Sequence, residues 1–203
     1  MKTLTWSLLL LIVVSGCASS KIIPTQWASN DFNAEQINTL LVYANTEDKA
    51  LQVDFENMVA TALTNKGVIM FKMHDEFPDI EYKENPSQEE IKEFVADCKA
   101  KGIYNVLLAS QKAVKVDTVR KHTLHNYMNS LQPLKLGYTG SENLEYDKKE
   151  LTSYTIEAAV YDIAKTAEDK PIATTTLVAK NPKSKDKVKE QFLEAIIALF
   201  ESN

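Results

Sequence analysis

Two cysteines and one close pair of histidines are the residues with the most capacity for chemistry. His122 and His125 stand three apart, a spacing that can place two imidazoles on one helix face for a metal ion. Asp117, Glu145 or Asp147 could complete such a site. No glutamate sits where a zinc protease needs its general base, and the stretch lacks a helical pattern. The pair reads as solvated loop histidines, with no metal and no cofactor expected. Gly137-Tyr138-Thr139-Gly140-Ser141 matches neither a nucleophile elbow nor a phosphate loop and reads as a turn. Asp75, Glu76, Asp79, Glu81 and Glu84 load one loop with acid, without the ligand spacing of an EF-hand. Cys98 falls at helical spacing with Ile91, Phe94 and Val95, so it reads as a small buried hydrophobe. No catalytic set emerges, and the expectation is a non-catalytic protein.

Cys17 is different. It follows Lys2, an apolar run from Leu8 to Val14, and the small pair Ser15-Gly16. A charged start and a short apolar core are the parts of a secretory signal. The core is far shorter than the ~20 residues that cross a bilayer. Val14-Ser15-Gly16-Cys17 resembles the lipobox of bacterial lipoproteins. That resemblance implies cleavage before Cys17, acylation of that residue (palmitate included) and a membrane-tethered mature chain. Ala18 in place of Asp at the next position implies the outer membrane, facing the periplasm. The expected organisation is a signal peptide over 1–16, a lipidated terminus and short tether over 17–35, and one periplasmic domain over 36–203. As a flexible coil that tether would reach roughly 25 Å, so the domain should lie close to its membrane.

The composition is that of a globular chain, 44% hydrophobic and 25% charged. The net charge is −5, and removal of Lys2 makes it more acidic. A mildly acidic chain argues against general binding to nucleic acid or anionic lipid, both driven by basic patches. After lipidation of Cys17, Cys98 has no internal disulfide partner.

The elements that would position these residues can be read from periodicity. Ile37–Ala44 reads as a strand. Asn45-Thr46 then caps a helix carrying Leu51, Phe55, Met58, Val59, Ala62 and Leu63 on one face. Val68–Phe71 reads as a strand. Ser87 and Glu90 form a capping box for a second helix. A third strand centres on Val106-Leu107-Leu108. Both helices end in Lys-Gly, at Lys66-Gly67 and Lys101-Gly102, where glycine suits a left-handed cap. Residues 117–150 read as a polar insert. Tyr127, Tyr138 and Tyr146 in it are candidate interface anchors, or else a satellite cluster over the sheet. Two strands, Tyr154–Ala164 and Ile172–Lys180, form a hairpin. A last helix, introduced by Pro182 and Ser184, bears Val188, Phe192, Ala195, Ile196, Leu199 and Phe200. The predicted fold is single-domain α/β, a mixed sheet of about five strands with three helices, in the order β-α-β-α-β-β-β-α.

A lipobox, a short tail, a strand, a helix ending in Lys-Gly, a capping-box helix ending Lys-Gly-Ile and the apolar strand Tyr104-Asn105-Val106-Leu107-Leu108 resemble one broad group. It comprises the curli-secretion lipoproteins, the lipoprotein activators of penicillin-binding proteins and the amino-terminal domain of the Tol translocation protein. That resemblance covers about residues 37–200 by element order and transfers no functional residue. It implies a binding or assembly module with an envelope protein as partner, or a subunit of an oligomeric outer-membrane secretion or pore complex. A metal-dependent envelope enzyme is the remaining alternative.

Overall fold

A computed structural model describes residues 21–83, 86–120, 148–164 and 170–201, the side chains of Lys21 and Arg120 excepted. Cys17, His122, His125, Tyr127, Tyr138 and Tyr146 lie outside the described residues, as does Gly137–Ser141.

Six strands form one mixed sheet: β1 (Lys21–Ala28), β2 (Thr39–Ala44), β3 (Ile69–Lys72), β4 (Asn105–Arg120), β5 (Lys148–Asp162) and β6 (Ala173–Lys180). Their spatial order is β1-β6-β5-β4-β2-β3. β2 is parallel to both β3 and β4, while β4, β5, β6 and β1 are successively antiparallel. The two crossovers use α1 (Lys49–Thr64) and α3 (Gln88–Ala100), with a short α2 (Met73–Glu76) after β3. The chain then closes with α4 (Lys185–Leu199). The mixed α/β sheet is as expected, with one strand and one short helix more.

The extra strand is β1. Residues 21–28 were expected in the tether, yet they pair along their whole length with β6, from Lys21↔Lys180 to Ala28↔Ala173. Pro24 and the lack of alternation hide this strand in the sequence. An edge strand has one ladder only, so it tolerates proline there. Gln26 Nε2 also donates to the Ala195 carbonyl of α4 at 2.8 Å. Phe32 follows β1, is buried, and meets Phe200 edge-on at 5.9 Å.

The sheet separates two apolar layers. β2 alternates: Leu40 and Val42 face α1 and α4, while Leu41 faces the α2–α3 side. On the first side Phe55 and Val59 of α1 meet Phe192 and Ile196 of α4 over Leu107, Val160 and Leu177. Phe55 and Phe192 stack at 5.5 Å. On the second side Met73, Phe77, Cys98 and Ile103 pack on Leu41 and Val106.

Local details refine the expected elements. Asp48, not Asn45 or Thr46, caps α1, accepting the Leu51 N–H at 3.0 Å. The buried face of α1 contains Gln52 and Glu56, whereas Leu51 is exposed. The capping box of α3 is present, with Ser87 and Glu90 bonded reciprocally. Ile91, expected inward, is exposed, and Cys98 is the buried residue of α3. Gly67 and Gly102 have φ of +89° and +75°, the left-handed caps expected of them.

Candidate functional site

Two places in the described chain combine position with chemistry. The first is a buried polar cluster where β2 and β3 end. In an open α/β sheet, the carboxyl ends of parallel strands are where ligands bind most often. Glu56 projects from the buried face of α1 and is fully enclosed. One carboxylate oxygen accepts the Ala44 N–H at 3.0 Å and Gln52 Nε2 at 3.0 Å. The other accepts the His74 N–H at 3.0 Å and meets His74 Nδ1 at 2.5 Å. The far ring nitrogen of His74 lies 3.3 Å from Asp75. Lys72 contacts Asp75 at 2.5 Å and donates to Asn57 at 3.0 Å. That lysine hydrogen bond holds the Asp75 carboxyl below its ordinary value. Tyr43 stands nearby and donates to Asn45 at 3.1 Å. Burial pushes the Tyr43 hydroxyl up, and the Glu56 charge pushes it further.

This arrangement can hold three elements in register. Glu56 fastens α1 to the last residue of β2 and to the head of α2. Both of its oxygens are filled by protein donors, so neither is left for a substrate or a metal ion. Among the described residues no group of three or more His, Cys, Asp or Glu could hold a metal. Sequence reading missed Glu56 and His74. The available signal was Gln52-x-x-Phe55-Glu56-x-x-Val59, which puts two polar residues inside an apolar stripe.

The second place is the end of the sheet where β1 begins. Lys21 pairs with Lys180, Lys180 with Ser153, and Ser153 with Lys115. Four strands therefore reach one level there. β4 and β5 continue past it as a two-stranded ribbon, from Val116↔Thr152 to Arg120↔Lys148. At about 3.4 Å per residue that is an extension of about 17 Å. Residues 117–120 and 148–150, expected in an irregular insert, belong to these strands. Their sequence shows no period of two because both faces of the ribbon meet solvent, and neither needs to be apolar.

A register shift between Gln111 and Ala113 re-aims this ribbon. A bulge adds one residue to one strand and swaps its facing beyond that point. Before it, Leu107 and Ala109 face α1 and α4. After it, Val114 and Val116 share that side, opposite Tyr154 and Thr152. Val114 and Val116 are about half exposed, and Val119 on the other face is also exposed. The inserted Lys112 meets Glu157 at 3.0 Å. Trp27 is 53% exposed beside Thr174. It sits at the far end of β1 from Lys21.

Among the described residues no helix is long and apolar enough to cross a membrane. No protein-family model and no curated protein matches the chain. Among solved structures the chain is similar to the PelC dodecamer from Paraburkholderia phytofirmans, with 9% identity and a TM-score of 0.47. That match covers 89% of this chain and 97% of PelC. It is also similar to lipoprotein GNA1162 from Neisseria meningitidis, with 11% identity and a TM-score of 0.36, over 81% of this chain and 99% of that one.

Proposed function

We propose that this chain is a lipid-anchored envelope protein that acts as a non-catalytic binding or assembly accessory. Cys17 would be its acylated residue, the outer membrane its location, and the β4–β5 ribbon its means of reaching a partner. The observation that carries this reading is one of distance along the chain. Lys21, four residues after Cys17, is already paired at the end of the sheet from which the ribbon projects. Four residues span at most about 14 Å. An anchor at Cys17 would hold that end of the sheet, and the base of the ribbon, within reach of the headgroups. The tether becomes shorter than the sequence alone suggests, because Lys21–Ala28 within it is strand.

A binding role is favoured over a catalytic one by the Glu56–His74 cluster. It is the most elaborate set of titratable groups described, and its carboxylate oxygens are occupied by the fold itself. The exposed Val116 on the projecting ribbon, with Val114 at its base, is the kind of apolar surface that contacts between proteins use.

Labelled-palmitate incorporation in wild type and Cys17→Ala tests the anchor. Wild type should label and fractionate with membranes, and Cys17→Ala should do neither. A photoreactive residue at Val116 in intact cells tests the ribbon. A specific crosslink to an envelope protein is expected. A crosslink to a second copy would favour the oligomeric alternative. Membrane retention without Cys17, together with no crosslink of either kind, would overturn the proposal.

A further inference from the structure

We propose that the outer edge of β4 pairs with the same edge of a second copy of this chain, antiparallel and centred on Val116. β2 leaves β4 at Ala109, whose carbonyl accepts the Asn45 N–H at 2.8 Å. Beyond that point no strand among the described residues pairs with β4 on this side. On its other side β4 stays paired with β5 as far as Arg120. The Thr152 carbonyl accepts the Asn181 N–H at 2.7 Å, so Thr152 bonds on the β6 side of β5. Alternation then turns Leu151 and Ser153 toward their partners Asp117 and Lys115. The backbone N–H and C=O groups of Val114, Val116 and Thr118 are left pointing out of the ladder. An edge of this kind accepts another strand. Val114, Val116 and Val119 are exposed along it, with no proline or glycine between Ala113 and Val119.

The side chains on this edge decide which strand fits. An edge lysine usually turns a neighbouring strand away, and Lys115 is exposed here, 3.2 Å from Asp117. Lys115 and Asp117 flank Val116 directly. A twofold axis through Val116 therefore sets Lys115 of each copy opposite Asp117 of the other. On the same face Ala113 meets Val119. On the opposite face Val116 meets Val116, and Val114 meets Thr118. Both charges find their opposites and the exposed valines cover one another, the self-complementarity that a twofold contact requires. The four charges alternate in sign around the axis, and cross-strand pairs of opposite charge stabilise a sheet. Lys112, at the end of the overlap, is held by Glu157 of its own chain at 3.0 Å. The edge of β5 offers another copy less. Past Thr152 its outward-facing backbone is that of Glu150 and Lys148 alone among the described residues.

This inference rests on the ribbon as the element that makes contact. It gives the edge of the ribbon to a second copy and leaves both faces open to an envelope protein. A crosslink from Val116 to an envelope protein bears on the faces, and self-association bears on the edge. The test is sedimentation equilibrium of residues 17–203 with Cys17→Ser, so that no acyl chain drives association. A monomer–dimer equilibrium is expected. Lys115→Asp alone, or Asp117→Lys alone, sets like charges opposite each other twice in the dimer and should weaken it about tenfold. An equimolar mixture of the two variants should restore the affinity, because the acidic pair of one chain then faces the basic pair of the other. Val116→Pro removes an N–H that β5 does not use and that the pairing needs from both copies. It should abolish the dimer and leave thermal unfolding close to that of the parent, since proline is tolerated on an edge. A monomer at every concentration, an assembly larger than a dimer, a mixture no tighter than its components, or a Val116→Pro dimer as tight as the parent would overturn the proposal.

Discussion

Replacing Glu56 by glutamine changes one atom at the best-connected polar group of the fold. Glutamate offers two acceptor oxygens, and here each has two donors facing it: Ala44 N–H with Gln52, and His74 N–H with the His74 ring. An amide keeps one oxygen and turns a donor toward the other pair. One backbone N–H, from Ala44 or His74, is then left without an acceptor. A buried orphan of this kind costs about 1–3 kcal/mol. The charge-assisted contact to His74 is lost as well, at about 1.5–3 kcal/mol if the ring is cationic. Some of this is recovered, because the Gln52 amide can rotate and the ring can present a bare nitrogen. A loss of about 3 kcal/mol is expected. For a chain of this length, roughly 2–4 °C of Tm accompany each kcal/mol, which gives a fall of roughly 6–12 °C. Urea unfolding should show a lower midpoint with an unchanged slope. In a double-mutant cycle with His74→Gln, coupling of about 1 kcal/mol or more is expected for groups in direct contact. A Glu56→Gln variant within about 1 kcal/mol of wild type, with no coupling to His74, would refute the view that this carboxylate fastens α1 to β2 and α2.

Other outcomes follow from single positions. Burial, with Asp97 adding to it, pushes the Cys98 thiol up to about 12, so thiol reagents at pH 8 should react only after denaturant is added. Fast labelling of the native protein would contradict the packing of α3. Gly102→Ala should cost about 1–2 kcal/mol from its left-handed backbone alone, because a Cβ there would meet nothing within 4 Å. Gly102→Asn should cost less in thermal unfolding, and equal losses would point to another cause. Lys83 and the Ser87 N–H hold the Glu90 carboxyl down at about 2, from an ordinary value of 4.5. A depressed acid stabilises fully above its ordinary value and loses that contribution as pH falls toward about 2. The cap of α3 should therefore loosen across that interval. Carboxyl titration by NMR should give a midpoint well below 4.5, and Lys83→Ala should raise it.

The sequence by itself determined the features whose physics is local. Ser87 and Glu90 are three apart and cap each other without help from the rest of the chain. Gly67 and Gly102 stop their helices because only the backbone angles of those positions matter. The apolar stripe of α4 and the alternation along β6 follow from single-element periodicity. What only the tertiary structure decided depends on pairing between distant residues. Residues 21–28 become a strand because β6 offers them a ladder some 150 positions away. Residues 117–120 and 148–150 are strands because they meet each other, and an exposed ribbon needs no apolar alternation to betray it. Glu56 is tolerable in a core stripe only because the end of β2 and the head of α2 bring N–H groups to it.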